Sequence, residues 1–66
     1  MYSNLLKLRK ERGITQKQMG ELIGCGPSNY NYKERGRTNF KITEMEIIQK
    51  HFNLPLDVIF LKYNSN

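Results

Sequence analysis

Gly-Ile-Thr-Gln-Lys-Gln-Met-Gly-Glu-Leu-Ile-Gly-Cys-Gly-Pro-Ser-Asn-Tyr-Asn-Tyr-Lys-Glu-Arg-Gly, residues 13–36, holds two short helical patterns joined at Gly24-Cys25-Gly26 and closed by Gly36. Thr15 can cap the first pattern by accepting a backbone N–H, and Met19, Leu22 and Ile23 then fall at i, i+3 and i+4 on one face. Gly24 follows the last periodic residue, where a left-handed residue ends a helix and only glycine enters without steric cost. Gly26 is an acceptable N-cap, and Pro27 suits the first helical position because its missing N–H would be unsatisfied there anyway. The second helix is expected from Pro27 to Arg35, with Gly36 as its stop.

The flanks read as helix too. Residues Ser3 to Arg12 should form a first helix with Leu5 and Leu8 inward. Arg37-Thr38-Asn39-Phe40 is a loop, and Ile42, Met45, Ile48 and Phe52 recur at helical spacing in a fourth helix that Asn53 can end. Pro55 should start a last helix with Leu56, Ile59 and Phe60 on its apolar face. No strand pattern, internal repeat or linker interrupts this series. The expectation is an all-α, compact five-helix bundle: one domain over residues 1–63 and a disordered tail over 64–66. A chain of 66 residues supports a core worth only a few kcal/mol net, so nearly every apolar residue should be used.

The second helix of the central pair carries the chemistry. At about 100° per residue, Tyr30, Lys33 and Glu34 turn to one side. Ser28, Tyr32 and Arg35 turn to the other, flanked by Asn29 and Asn31. Most polar helix faces are simply solvated. This one belongs to the second helix of a helix-turn-helix and has no acidic residue, the arrangement that reads base edges in a major groove. The net charge of +5 and pI near 9.6 agree with a polyanionic partner. Lys33, Arg35, Arg37 and Lys41 gather at the end of that helix and in the loop after it. Phosphate contacts are therefore expected from Arg35, Arg37, Asn39 and Lys41, with Gln16 and Lys17 on the other side. Lys7, Arg9, Lys10 and Arg12 point in several directions on the first helix, and part of that run is ordinary surface.

The motif Leu5-x-x-Leu8-Arg9, then Gly13-x-Thr15-Gln16, Met19-x-x-Leu22-Ile23-Gly24, Tyr30 and Glu34-Arg35-Gly36 resembles the phage repressor and Cro type of helix-turn-helix domain, the XRE family, up to Phe60. The resemblance implies a lambda-repressor-like fold and a structural ion pair between Arg9 and Glu34. It also implies that Gln16 bonds a phosphate and touches the recognition helix, and that Pro27, Ser28, Asn29 and Tyr32 stand where bases are read. The chain departs from many relatives in two places: Pro27 has no donor, and Gly26 replaces the usual Ser or Thr cap. Base reading then leans on Ser28, Asn29, Tyr32 and Asn31.

Other chemistries find little support. Cys25 is the only cysteine, which excludes an internal disulfide and fits a cytoplasmic protein; its place in the turn suggests a small buried apolar residue. His51 has no Cys or His partner nearby, so no metal site is expected. Cys25, His51 and Ser28 lie on different elements, and no glycine motif cradles a phosphate, so the protein is not expected to be an enzyme or to hold a cofactor. The Tyr and Phe residues read as core rather than as a base-stacking platform, and only Tyr32 falls on the outward face of the second helix. No signal peptide or targeting tail is expected, the sequence contains no apolar run of membrane length, and no ligand domain or small-molecule ligand is expected.

These readings converge on a sequence-specific transcriptional regulator, a repressor of phage, mobile-element or bacterial origin bound to double-stranded DNA at a palindromic operator. Two alternatives use the same domain. One is an antitoxin or accessory factor with a regulatory protein partner, and the other is a module for protein contact alone. A lone module of this size would struggle to reach the roughly 10⁻⁸ M affinity of specific regulators, so a homodimer is expected. Its interface is assigned to Leu54, Ile59, Leu61 and Tyr63 with Ile47, because this region carries more apolar residues than one helix face can bury.

Overall fold

The structure, a computed structural model, describes residues 1–61. Five helices follow one another: α1 Ser3–Glu11, α2 Gln16–Ile23, α3 Pro27–Glu34, α4 Ile42–Phe52 and α5 Leu56–Ile59. The tail over 64–66 and Tyr63 lie outside the described residues. Three boundaries shift by a residue from expectation: Arg12 caps α1, Arg35 caps α3, and Pro55 is the N-cap of α5.

The local signals explain most boundaries. Thr15 accepts from the Gln18 N–H while the Gln18 side chain accepts from the Thr15 N–H, so two otherwise orphaned donors at the start of α2 are satisfied. Gly24 ends α2 at φ 77°, and Asn53 ends α4 at φ 56°. At the end of α4 the Arg12 guanidinium donates to the carbonyls of His51 and Phe52 and lies 4.7 Å from the Phe52 ring centre, a cation at the negative end of a helix.

The core is built from every helix and from the loop before α4. Leu5, Met19, Tyr30, Ile48, Phe52 and Ile59 are almost fully buried. Tyr2, Phe40 and Phe60 pack edge-to-face at centroid distances of 5.2–5.7 Å, and Tyr30 meets Phe40 at 6.1 Å. Phe40, assigned to a loop, thus anchors that loop to the core. The Tyr2 N–H donates to the Glu34 carbonyl at 2.9 Å, so the start of the chain is bonded to the end of α3. Asn4 ties α1 to α5 through the Val58 carbonyl at 3.0 Å.

Several core expectations need correction. Ile42 is 73% exposed, because the inward line of α4 runs through Glu44, Ile48 and Phe52 with Met45 beside it. Glu44 takes the inward position by pairing with Lys33, which is itself buried and drops out of the basic surface cluster. Leu56 is exposed because α5 is a single turn that turns only Ile59 and Phe60 inward. Ile59 is completely buried and is not available to a partner. Cys25 is only half-buried; its thiol donates weakly to the Gly26 carbonyl, and burial raises its pKa above the ordinary value.

The backbones of α2 and the turn into α3 meet closely at Gly20. A Cβ on Gly20 would overlap the Gly26 carbonyl, and the Gly20 carbonyl accepts the Cys25 N–H at 2.9 Å. Because the obstacle is backbone, relief requires α3 to move away from α2. Gly20→Ala should therefore lower stability by about 1–3 kcal/mol, although alanine in a free helix would gain up to about 1 kcal/mol. Urea unfolding of this variant beside Glu21→Ala, an exposed neighbour, checks it; a Gly20→Ala protein as stable as the parent would show that the contact is soft.

Candidate nucleic-acid interface

The orientation of α3 is set by a buried polar cluster. Arg9 Nε donates to Glu34 Oε2 at 2.9 Å and Nη2 to Oε1 at 3.2 Å, a two-point contact between α1 and the last turn of α3. The Tyr30 hydroxyl donates to Glu34 Oε2 at 2.7 Å, and Gln16 Nε2 reaches Oε1 at 3.4 Å from the first turn of α2. Arg9 also donates to the Ile14 carbonyl at 2.9 Å, which pins the loop between α1 and α2. One carboxylate thus collects partners from three helices. The hydrogen bond to Glu34 raises the Arg9 pKa despite burial, and burial followed by that carboxylate pushes the Tyr30 phenol far above its ordinary value, so Tyr30 remains a donor.

A second buried pair fixes the far side of α3. Lys33 Nζ donates to Glu44 Oε1, which also accepts the Lys41 N–H at 2.9 Å. The sequence hid this pair because a lysine and a glutamate 11 residues apart on different helices carry no periodic signal. Its one advance sign was Lys33 sharing the inward side of α3 with Tyr30 and Glu34.

With its inner side held twice, α3 turns Pro27, Ser28, Asn29 and Tyr32 outward, with Asn31 half-exposed. Gln16, Pro27, Ser28, Asn31 and Tyr32 line one shallow concavity of about 270 Å³ between the starts of α2 and α3. Asn29 stands apart from it, and its amide donates to the Cys25 carbonyl one turn back at 3.1 Å. Lys17 on α2, Arg35 at the end of α3, and Arg37, Asn39 and Lys41 in the loop after it are exposed. The Arg37 guanidinium lies 6.0 Å from the Tyr32 ring centre, while the Arg37 N–H donates to the Tyr32 carbonyl at 2.9 Å. None of the exposed side chains of α3 is acidic, since Glu34 is buried. Among the described residues no group of three or more His, Cys, Asp or Glu side chains could hold a metal, and no helix is long and apolar enough to cross a membrane.

Residues 5–59 match the helix-turn-helix family, and the chain belongs to it. Among solved structures it is similar to a transcriptional regulator from Listeria innocua, with a TM-score of 0.84 at 25% identity over 98% of this chain. The chain spans 61% of the length of that protein. No curated protein matches the chain.

Two outcomes follow from the buried pairs. Arg9→Ala leaves the Glu34 carboxylate without its cation and should lower stability by about 3 kcal/mol, whereas Lys10→Ala, at an exposed position, should change it by under about 0.5 kcal/mol. Equal thermal unfolding of the two variants would remove the ion pair from the account. The second outcome concerns acid. Burial pushes the Glu44 carboxyl up, but the Lys33 and Lys41 hydrogen bonds and charges together bring it below its ordinary 4.5. A carboxyl depressed in the folded state contributes stability that is complete above the unfolded value and is lost as pH falls below it. The midpoint of thermal unfolding should thus drop between about pH 5 and pH 3, and drop less in Glu44→Gln; parallel curves would mean that Glu44 titrates as it does in the unfolded chain.

Proposed function

We propose that this protein is a sequence-specific, DNA-binding transcriptional regulator of the repressor and Cro type that lays α3 in the major groove of double-stranded DNA. The observation that carries this reading is the outward side of α3: Ser28, Asn31 and Tyr32 offer hydrogen-bonding groups with no exposed carboxylate among them, while the adjoining α2, the end of α3 and the loop after it expose the cations Lys17, Arg35, Arg37 and Lys41. Base contacts are assigned to Ser28, Asn29, Asn31 and Tyr32, and phosphate contacts to Gln16, Lys17, Arg35, Arg37, Asn39 and Lys41. The rigid hold on Glu34 supports this, since a helix that reads bases must enter the groove at one angle.

The protein acts as a repressor at a palindromic operator and binds it as a homodimer. Ile47 on α4 and Leu61 after α5, 40% and 58% exposed, and the half-buried Leu54 between the two helices supply the apolar groups for contact with a second copy. Ile59 has no part in it.

Selection of bound sites from a random duplex library tests the reading, and a palindrome is the expected result. On the selected site, Ser28→Ala or Tyr32→Ala should weaken binding by about 1–3 kcal/mol and relax preference at one or two base positions, with little change on scrambled duplex. Lys17→Ala should weaken both duplexes alike, and the slope of log affinity against log salt should fall by about one. Lys17 serves better than Arg37 here, because the Arg37 guanidinium lies over Tyr32 and its loss would disturb the base-reading ring. If Ser28→Ala and Tyr32→Ala lose equal affinity on both duplexes, α3 does not read sequence.

A further inference from the structure

Resting on the reading of α3 as the base-reading helix, we infer that the concavity at its start selects adenine–thymine pairs: the Asn31 amide reads an adenine, and the rings of Pro27 and Tyr32 receive a neighbouring thymine methyl group. Base pairs differ in the major groove by their donors, acceptors and the thymine methyl group. Guanine is read above all by Arg or Lys, adenine by the paired donor and acceptor of Asn or Gln, and the thymine methyl by apolar contact. The exposed side chains of the first two turns of α3 are Pro27, Ser28, Asn29 and Tyr32, with Asn31 half-exposed; none is a cation. Lys33, the first cation along the helix, is buried against Glu44, and Arg35 stands at the C-cap, where a helix leaves the bases for the backbone. The cations that read guanine most strongly are thus absent from the segment that reaches base edges.

The two asparagines are not equivalent. Asn29 spends one amide hydrogen on the Cys25 carbonyl and lies outside the concavity. The Asn31 amide makes no hydrogen bond within the described residues and lines the concavity, so both its donor and its acceptor are free for the N7 and N6 edge of adenine. Pro27 and Tyr32 supply carbon surface to the same concavity. The Ser28 hydroxyl can donate or accept and so can bond an edge of either kind of pair; the bias toward adenine–thymine rests on Asn31, Pro27 and Tyr32.

The test replaces single atoms on the DNA. In the selected site each thymine is changed in turn to uracil, which removes the methyl and nothing else, and each adenine to 7-deazaadenine, which removes the N7 acceptor. A uracil under α3 should weaken binding about fourfold, the equivalent of one buried methyl group, and this sensitivity should vanish in Tyr32→Ala or Pro27→Ala. A 7-deazaadenine should weaken binding at least about fivefold, and Asn31→Ala should be indifferent to it. A selected half-site with G·C pairs under α3, or full affinity for every uracil and 7-deazaadenine duplex, overturns the inference while the DNA-binding reading stands. Equal binding to selected and scrambled duplex overturns that reading and this inference with it.

Discussion

The Glu34 carboxylate is the point on which the arrangement of the first three helices depends. It is 2% exposed and is contacted by Arg9 from α1, Gln16 from α2 and Tyr30 from its own helix. A charge so buried is tolerated only when its lone pairs are taken, and the partners that take them come from different directions. Apolar side chains of similar volume could supply as much stability there, but they would accept α3 at a range of angles. The forked contact with Arg9 accepts few.

The same logic appears on a smaller scale at Lys33 and Glu44. Phe40, between them in sequence, lies in the aromatic cluster with Tyr2 and Phe60, so the loop after α3 is held at both its polar and its apolar side. That loop carries Arg37, Asn39 and Lys41. Its anchoring fixes the backbone from which these exposed side chains project. Burying Lys33 also has an electrostatic consequence: the outward side of α3 keeps its positive charge at the C-terminal end and in the loop, and its first two turns are left neutral.

Much of this was legible in the chain because it is local. The Thr15 cap, the Gly24 and Asn53 stops, Pro27 after Gly26, and the Tyr30, Lys33 and Glu34 side of α3 all rest on contacts within four residues or on φ values that few residues adopt. The outward side of α3 was legible for the same reason: Ser28, Asn29 and Tyr32 sit on one short helix whose period is known. The places where reading failed share the opposite property. Periodicity in α4 pointed to Ile42, and the inward position went to Glu44 because a partner waited on another helix. Ile59 passed for surplus apolar surface, since nothing in the sequence says that α1 packs over α5.

The sequence by itself therefore determined the helices, their stops, the two-helix turn and the composition of the side that faces outward, since all of these follow from backbone sterics and helical period. Only the tertiary structure decided which charges are buried and which are free, that Gly20 is the point of backbone contact, and that Asn31 rather than Asn29 shares a concavity with Pro27 and Tyr32. These depend on the angle between helices, which is set by side chains distant in sequence meeting in a desolvated interior.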